Sequence, residues 1–323
     1  MRTLVGTVGQ SVLGSDDGER WERSGPAAGF HSDAIVRTLV NRPEAPHVVW
    51  AGTDQGVLRS EDGGRHWRRL DGALNGQQVW RIAFHPTDDK VVFVGTGTPS
   101  RATVFRSDDG GESWKALPVE IATECAAVGV PRVTDIAIDP TEPRKLWASI
   151  EVDGMRRSTD GGESWQRIDG GITNPDGHAA AVTAGPPRSV FLTVNNEIFI
   201  SRDDGQSFQP VGVKQHFPHT HIRDVVFDAV DPCTAWAAIG DSTPGTTGAL
   251  MRTSDAGQTW QAAQLDQPPN SAMWVVRTQP DQPKRVLAAS RYGYLYESQD
   301  GGVTFKKSRR EFSEVSSIVW VPD

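Results

Sequence analysis

The stretch that decides the fold is Ser158-Thr159-Asp160-Gly161-Gly162-Glu163-Ser164-Trp165. The same order of small, acidic, glycine and aromatic positions returns as SEDGGRHW from Ser60, SDDGGESW from Ser107, SRDDGQSF from Ser201, TSDAGQTW from Thr253, SQDGGVTF from Ser298 and, degenerately, GSDDGERW from Gly14. Asp16, Asp62, Asp109, Asp160, Asp203, Asp255 and Asp300 suit Asx turns, in which the carboxylate accepts amides of its own turn. The second glycine serves a turn that needs positive φ. The closing Trp or Phe returns a large apolar surface to the core. One carboxylate per turn is too few for calcium, which takes six to eight oxygens, so the turns read as structural.

The first positions of successive copies lie 46, 47, 51, 43, 52 and 45 residues apart, the period of a four-stranded propeller blade. The fold expected is therefore all-β, with residues 1–323 as a single seven-bladed β-propeller domain of four-stranded antiparallel blades. In the second blade the pattern predicts strands over Ala34–Val40, His47–Gly52, Gly56–Ser60 and His66–Leu70. In the third it predicts Val79–Phe84, Lys90–Gly95, Thr103–Ser107 and Ser113–Leu117. The next innermost strands start near Arg132, His178, His221 and Ala272. The amino-terminal TLVGTV reads as a second strand lacking a first, whereas Val315–Val321 reads as an innermost strand with no blade after it. Pairing the two closes the ring and removes an exposed sheet edge.

The 33 Gly and 21 Pro fit a turn-rich protein, and a net charge of −8 argues against a nucleic-acid or anionic-membrane surface, each of which needs a basic patch. The amino-terminal MRTLVGTVGQSVLGSDDG has no apolar run long enough for a signal peptide or membrane span, and a cytoplasmic location is expected. Cys125 and Cys233 make no metal or redox spacing and are expected to be free thiols.

The Asp turns resemble the Asp-box or BNR repeats of sialidases, xyloglucan-hydrolysing glycosidases, sortilin-type receptors and photosystem II assembly factors. The resemblance covers the whole chain and implies the propeller fold; it does not transfer a catalytic residue, since these families share a scaffold and differ in their sites. The Phe-Arg-Ile-Pro stretch of sialidases is absent, and one ring is present where xyloglucan-type enzymes join two.

In such a ring, ligand sites lie where loops enter the innermost strands, opposite the Asp turns. Aligning the innermost strands on their apolar residues gives an entrance column of Glu314, Ala34, Gln78, Arg132, His178, His221 and Ala272. A column three residues further in reads Ser317, Arg37, Arg81, Asp135, Ala181, Asp224 and Val275. Such polar positions suit a wet channel. Five of eight histidines, His31, His178, His216, His219 and His221, fall on entering loops or strand starts. His178 and His221 align, and His219 and His221 share a side of an extended segment. With a carboxylate they would suit one divalent transition metal; a metal-free polar pocket, or incidental loop histidines, are the competing readings. Arg37, Arg81, Asp135 and Asp224 equally suit an ion-pair belt. Phe30, Trp80, Phe217, Trp274 and Tyr292 suit the walls of a small-molecule or sugar pocket.

The leading expectation is an enzyme acting on a small molecule at the channel mouth by metal-assisted hydrolysis or lyase-type chemistry. His178, His221, Asp135, Asp224 and Glu314 would be catalytic, and His178, His219, His221, His31 and His216 would be metal ligands. Arg132, Arg37, Arg81, Gln78, Trp80, Trp274, Phe217 and Tyr292 would contact substrate. No nucleotide or organic cofactor, nucleic acid or membrane is expected. The alternatives are a glycoside-binding or glycoside-hydrolysing propeller, which if hydrolytic needs two carboxylates facing one cleft, and a protein-docking propeller.

Overall fold

Each of the seven repeats folds into an antiparallel sheet whose strands follow one another outward from the centre. In this computed structural model residues 1–185 and 188–322 are described; the domain expectation for 1–323 therefore includes three residues outside the described ones. The innermost strands are Val315–Val321, Val36–Arg42, Val79–Phe84, Val133–Ile138, Gly177–Val182, His221–Phe227 and Met273–Arg277. They are apolar where they pack between blades and polar near their first residues.

Blade one is closed as the sequence implies. Val315–Val321 lies beside Arg2–Thr7, with Arg2 opposite Val321 and Leu4 opposite Val319, and Val12–Ser15 and Glu22–Arg23 follow outward. Chain ends that are remote in sequence thus share one sheet. Blade seven differs from the expected four strands: Gln264–Leu265 adds a short fifth strand, parallel to the outer strand Thr304–Glu311. This addition covers part of an otherwise open edge.

The Asp turns join third and fourth strands, at the end of each blade away from the start of the innermost strand. Ser158 Oγ donates to Asp160 Oδ1 at 2.8 Å and accepts the Gly162 amide at 2.9 Å. Asp160 in turn accepts the amide of Ser164 at 2.9 Å and its hydroxyl at 2.6 Å, while Trp165 Nε1 donates to Gly162 O at 3.0 Å. Gly162 has φ 93°, and a Cβ there would lie 2.8 Å from Leu117 Cδ1 of the preceding blade; the turn needs glycine for conformation and for space. The serine–aspartate–glycine bonding recurs in the turns from Ser60, Ser107, Ser201, Thr253 and Ser298.

In blade one the turn is shifted by a residue. Asp17, not Asp16, accepts the turn amides of Glu19 and Arg20, and Asp16 pairs with Arg2 and Arg65. Outer strands are also shorter than expected, Arg68–Leu70 instead of His66–Leu70, because the amides of Arg65 and His66 are bound by Asp62 and belong to the turn.

The core is distributed between blades. Trp50, Val57 and Leu70 of blade two pack with Val79, Ile82 and Val92 of blade three, and Val5, Ile318 and Trp320 of blade one pack with Val275 and Leu287 of blade seven. Apolar burial therefore joins the last blade to the first as it joins other neighbours, a consequence of ring closure.

Candidate functional site

All seven innermost strands carry a β-bulge at the same level. Opposite each second strand one residue is skipped: Arg37, Trp80, Thr134, His178, Arg223, Trp274 and, in blade one, Ser316. A bulge inserts an unpaired residue and re-aims its side chain. All seven of these residues line one open cavity of about 840 Å³ at the centre of the ring. Loops following the second strands complete the wall with Thr98, Asn195, Asp241 and Thr243.

The bulges correct the sequence alignment. Residues just after them are Ser317, Thr38, Arg81, Asp135, Ala179, Asp224 and Val275, so Arg37 and Ala181 do not belong with the others. Residues two before them are Glu314, Ile35, Gln78, Arg132, Asp176, His221 and Ala272, so the equivalent of His221 is Asp176, and His178 is equivalent to Arg223. An inserted residue cannot be seen by aligning apolar positions at period two. Its trace in the sequence is a pair of polar or bulky residues interrupting the alternation: Trp80-Arg81, Thr134-Asp135, Arg223-Asp224, Ser316-Ser317.

Of the residues expected at the site, Arg37, Gln78, Trp80, Arg81, Arg132, Asp135, His178, His221, Asp224 and Trp274 line the cavity. Glu314 is not among the lining residues and pairs with Arg291 at 2.6 Å. Phe217 is buried against apolar residues, including Trp260, between blades, and Tyr292 is exposed outside the cavity lining. Nor do His31, His216 and His219 reach the cavity: the first two are exposed on loop and helix and His219 is half-buried, while Phe217, between His216 and His219, turns into the interblade core. Sequence reasoning missed Arg223, Arg277, Arg291, Glu151, Asp176, Asn195, Asp241 and Thr243.

Asp135 and Asp224 face the cavity but are engaged in holding blades together. Asp135 Oδ2 accepts the Ala180 amide of the next blade at 3.2 Å, Oδ1 accepts its own strand's Ile136 amide, and Arg81 Nε lies 2.6 Å away. Asp224 Oδ2 accepts the Val276 amide at 3.2 Å and Arg277 at 2.6 Å. Ser317, at the same level, accepts the Leu39 amide at 2.9 Å. Each acceptor takes the amide two residues beyond the neighbouring bulge. Burial, with the Asp224 charge nearby, raises the Asp135 carboxyl despite Arg81.

The two imidazoles come together, ring centroids 5.2 Å apart, but not as metal ligands of the expected set. His178 Nδ1 donates to Ile222 O at 2.6 Å, and its Nε2 faces Asp176 at 3.6 Å. His221 Nδ1 donates to Asn195 Oδ1 at 2.9 Å, while its Nε2 lies against the Thr243 hydroxyl. Both nitrogens of His221 are thus occupied. Among the described residues no group of three or more His, Cys, Asp or Glu side chains is disposed to hold an ion. Burial first, then the charges of His178 and Arg223, lower the His221 pKa to about 4.

Six arginines line the cavity: Arg37, Arg81, Arg132, Arg223, Arg277 and Arg291. Two indoles organise four of them. The guanidinium carbons of Arg37 and Arg132, from the blades on either side, lie 4.3 and 4.9 Å from the Trp80 ring centre. Those of Arg223 and Arg291 lie 4.6 and 4.5 Å from that of Trp274. Cation–π contact of this kind is worth more where water is excluded.

Residues 55–174 and 196–320 match the family model described as Sortilin-Vps10, "Sortilin, neurotensin receptor 3". The chain belongs to the Sortilin-Vps10 family. Among curated proteins this family member is similar to an oligoxyloglucan-reducing end-specific xyloglucanase of Emericella nidulans, 33% identical over 116 residues, 34% of this chain and 12% of that protein. A probable enzyme of the same description from Neosartorya fischeri is 26% identical over 116 residues, with the same coverage. The aligned stretch is thus a small part of those relatives. Among solved structures, an ancestral GH74 enzyme superposes with a TM-score of 0.66 at 18% identity, over 88% of this chain and 38% of that one. YCF48 bound to D1 peptide gives 0.60 at 18% identity, over 92% and 85%. These structures support the propeller fold of this Sortilin-Vps10 member.

Proposed function

We propose that the chain is a glycoside-binding propeller whose saccharide occupies the central cavity. The observation that carries this reading is the bulge-lined cavity itself: about 840 Å³ of open, mainly polar space walled by Trp80 and Trp274, within the size range of ligand sites. The partial similarity to two xyloglucanases points to the same ligand class.

Binding is favoured over hydrolysis by the state of the carboxylates. Asp135, Glu151 and Asp224 are paired with arginines. Asp176 and Asp241 line the cavity without an arginine partner among the described residues. Both are held below the ordinary carboxylate range, Asp176 by His178 against the effect of burial and Asp241, to about 2, by the Thr246 hydroxyl and amides. Glycoside cleavage needs a carboxylic acid that stays protonated beside a carboxylate; Asp135, whose carboxyl burial raises, is held by the blade contacts. Metal-assisted hydrolysis or elimination gains no support from the histidine arrangement.

Titration of xyloglucan- and pectin-derived oligosaccharides by calorimetry tests the reading. Saturable binding that is lost in Trp80→Ala and Trp274→Ala is expected. Absence of binding across both glycan classes at millimolar concentration would overturn it.

A further inference from the structure

Four of the six cavity arginines have a carboxylate of their own. Arg81 pairs with Asp135, Arg132 with Glu151, Arg277 with Asp224 and Arg291 with Glu314. Arg37 and Arg223 have none within 4.0 Å among the described residues. Both are bulge residues, so the fold aims both at the cavity. Gln78, with its amide oxygen turned to Arg37, accepts from Nη2 at 2.8 Å and Nε at 2.7 Å. Arg223 makes one long bond to His178 O at 3.4 Å, and its Nε is buried without a partner.

A guanidinium half-withdrawn from water, as Arg37 and Arg223 are in the cavity wall, is costly without a counter-charge unless an anion or several acceptors meet it. Here the cost is compounded, because burial, then the positive charges of Arg291, Arg132 and Arg223, push the Arg37 pKa down to about 10. Neutral acceptors and an indole face do not cancel that charge. A guanidinium set over an indole ring keeps its N–H donors in its own plane, the geometry that grips a carboxylate through two parallel bonds; Gln78 takes the Nε edge of Arg37 and leaves the terminal Nη1–Nη2 edge for an anion. Arg37 and Arg223 come from blades two and six, with Trp80 and Trp274 fixing the two forks in place.

Resting on the saccharide reading above, we infer that the ligand is an acidic saccharide, a uronate-bearing oligosaccharide whose carboxylates are held by Arg37 and Arg223. The acid groups supply the counter-charge that none of the described residues supplies at these two positions, and the open cavity accommodates the sugar rings between them.

The test compares a short oligogalacturonate with its carboxyl-reduced, neutral counterpart by calorimetry on the full chain, with glutarate and inorganic phosphate as sugar-free anions. The oligogalacturonate is expected to bind at least about tenfold more tightly than the reduced form, a difference of about 1.4 kcal/mol, and to weaken with added NaCl. Arg37→Gln and Arg223→Gln are each expected to lose about tenfold toward the acidic sugar and little toward the neutral one. Where a Gln variant melts early, the corresponding Lys variant, which keeps the charge, is expected to lose less than tenfold. Equal affinity for acidic and neutral forms, or Gln variants that bind the acidic sugar unchanged, would overturn the acid-group inference while leaving saccharide binding intact. Glutarate or phosphate binding as tightly as the oligogalacturonate, with the same loss in the Gln variants, would keep the anion site and overturn the saccharide reading. Binding of none of the probes would overturn the acid-group inference, and the same result with the xyloglucan-derived oligosaccharides would overturn the saccharide reading as well.

Discussion

The carboxylate of Asp135 accepts the backbone amide of Ala180 at 3.2 Å across the boundary between blades four and five. Together with Arg81 and the Ile136 amide this contact satisfies a buried group on three sides, and the Asp224–Val276 contact repeats it two blades on. Removing such an acceptor leaves a buried amide and an arginine without their partner. Asp135→Ala is therefore expected to cost about 3 kcal/mol of stability, as is Asp224→Ala, measured by urea unfolding. A change below about 0.5 kcal/mol in both variants would show that the blades do not depend on these contacts.

The turn serines offer a smaller, repeated effect. Ser158 is buried and its hydroxyl both orients Asp160 and accepts the Gly162 amide. Ser158→Ala is expected to cost about 1 kcal/mol, and Ser107→Ala a similar amount. Because the two turns lie on different blades with no shared partner, the double variant should lose close to the sum. Thermal or denaturant unfolding of the three proteins decides this.

Acidification should act in two windows. The His221 imidazole titrates near 4 in the folded chain, against an ordinary 6.5, so the unfolded chain takes up its proton first and stability falls as pH is lowered from about 6.5 to 4. Asp109, Asp160 and Asp203 are lowered from 3.8 to about 2, first by the hydroxyls of Ser113, Ser164 and Ser207. Their contribution is present above 3.8 and is lost as pH falls through 2. Melting temperatures measured from pH 8 to pH 2 should decline in both windows, and His221→Gln should flatten the upper one alone. An upper window unchanged in that variant would assign the decline to another group.

Ring closure gives the largest expected effect. Val315–Val321 supplies the innermost strand of blade one and the apolar contacts to blade seven. Deleting residues 314–323 should abolish soluble, cooperatively folding protein, because it exposes the edge of Arg2–Thr7 and empties part of two interblade clusters. A truncated chain that melts within a few degrees of the intact one would be inconsistent with this closure.

The comparison between sequence and structure divides at the bulge. Asp160, Gly162 and Trp165 act through bonds closed within eight residues, so their period determined the number of blades, and the strand pattern between the turns determined the sheet order and the pairing of the chain ends. The entrance to the channel was also legible at Gln78, Arg132 and His221, where the strand starts are regular. It was misread by two residues at His178, whose place belongs to Asp176, and by one at Ala34, whose place belongs to Ile35, because the small and apolar runs Ala179-Ala180-Ala181 and Ala34-Ile35-Val36 beside those two bulges do not mark the register. An ion-pair belt was legible as one option for Arg37, Arg81, Asp135 and Asp224, and Arg81–Asp135 and Arg277–Asp224 do pair, but which charge meets which partner lay outside the sequence. Whether a carboxylate or arginine faces a ligand or a neighbour depends on what another blade brings within 3 Å. Only the closed ring sets Asp135 against Ala180, places Arg291 beside Glu314, and leaves Arg37 and Arg223 without carboxylate partners among the described residues, since these contacts join strands far apart in the chain.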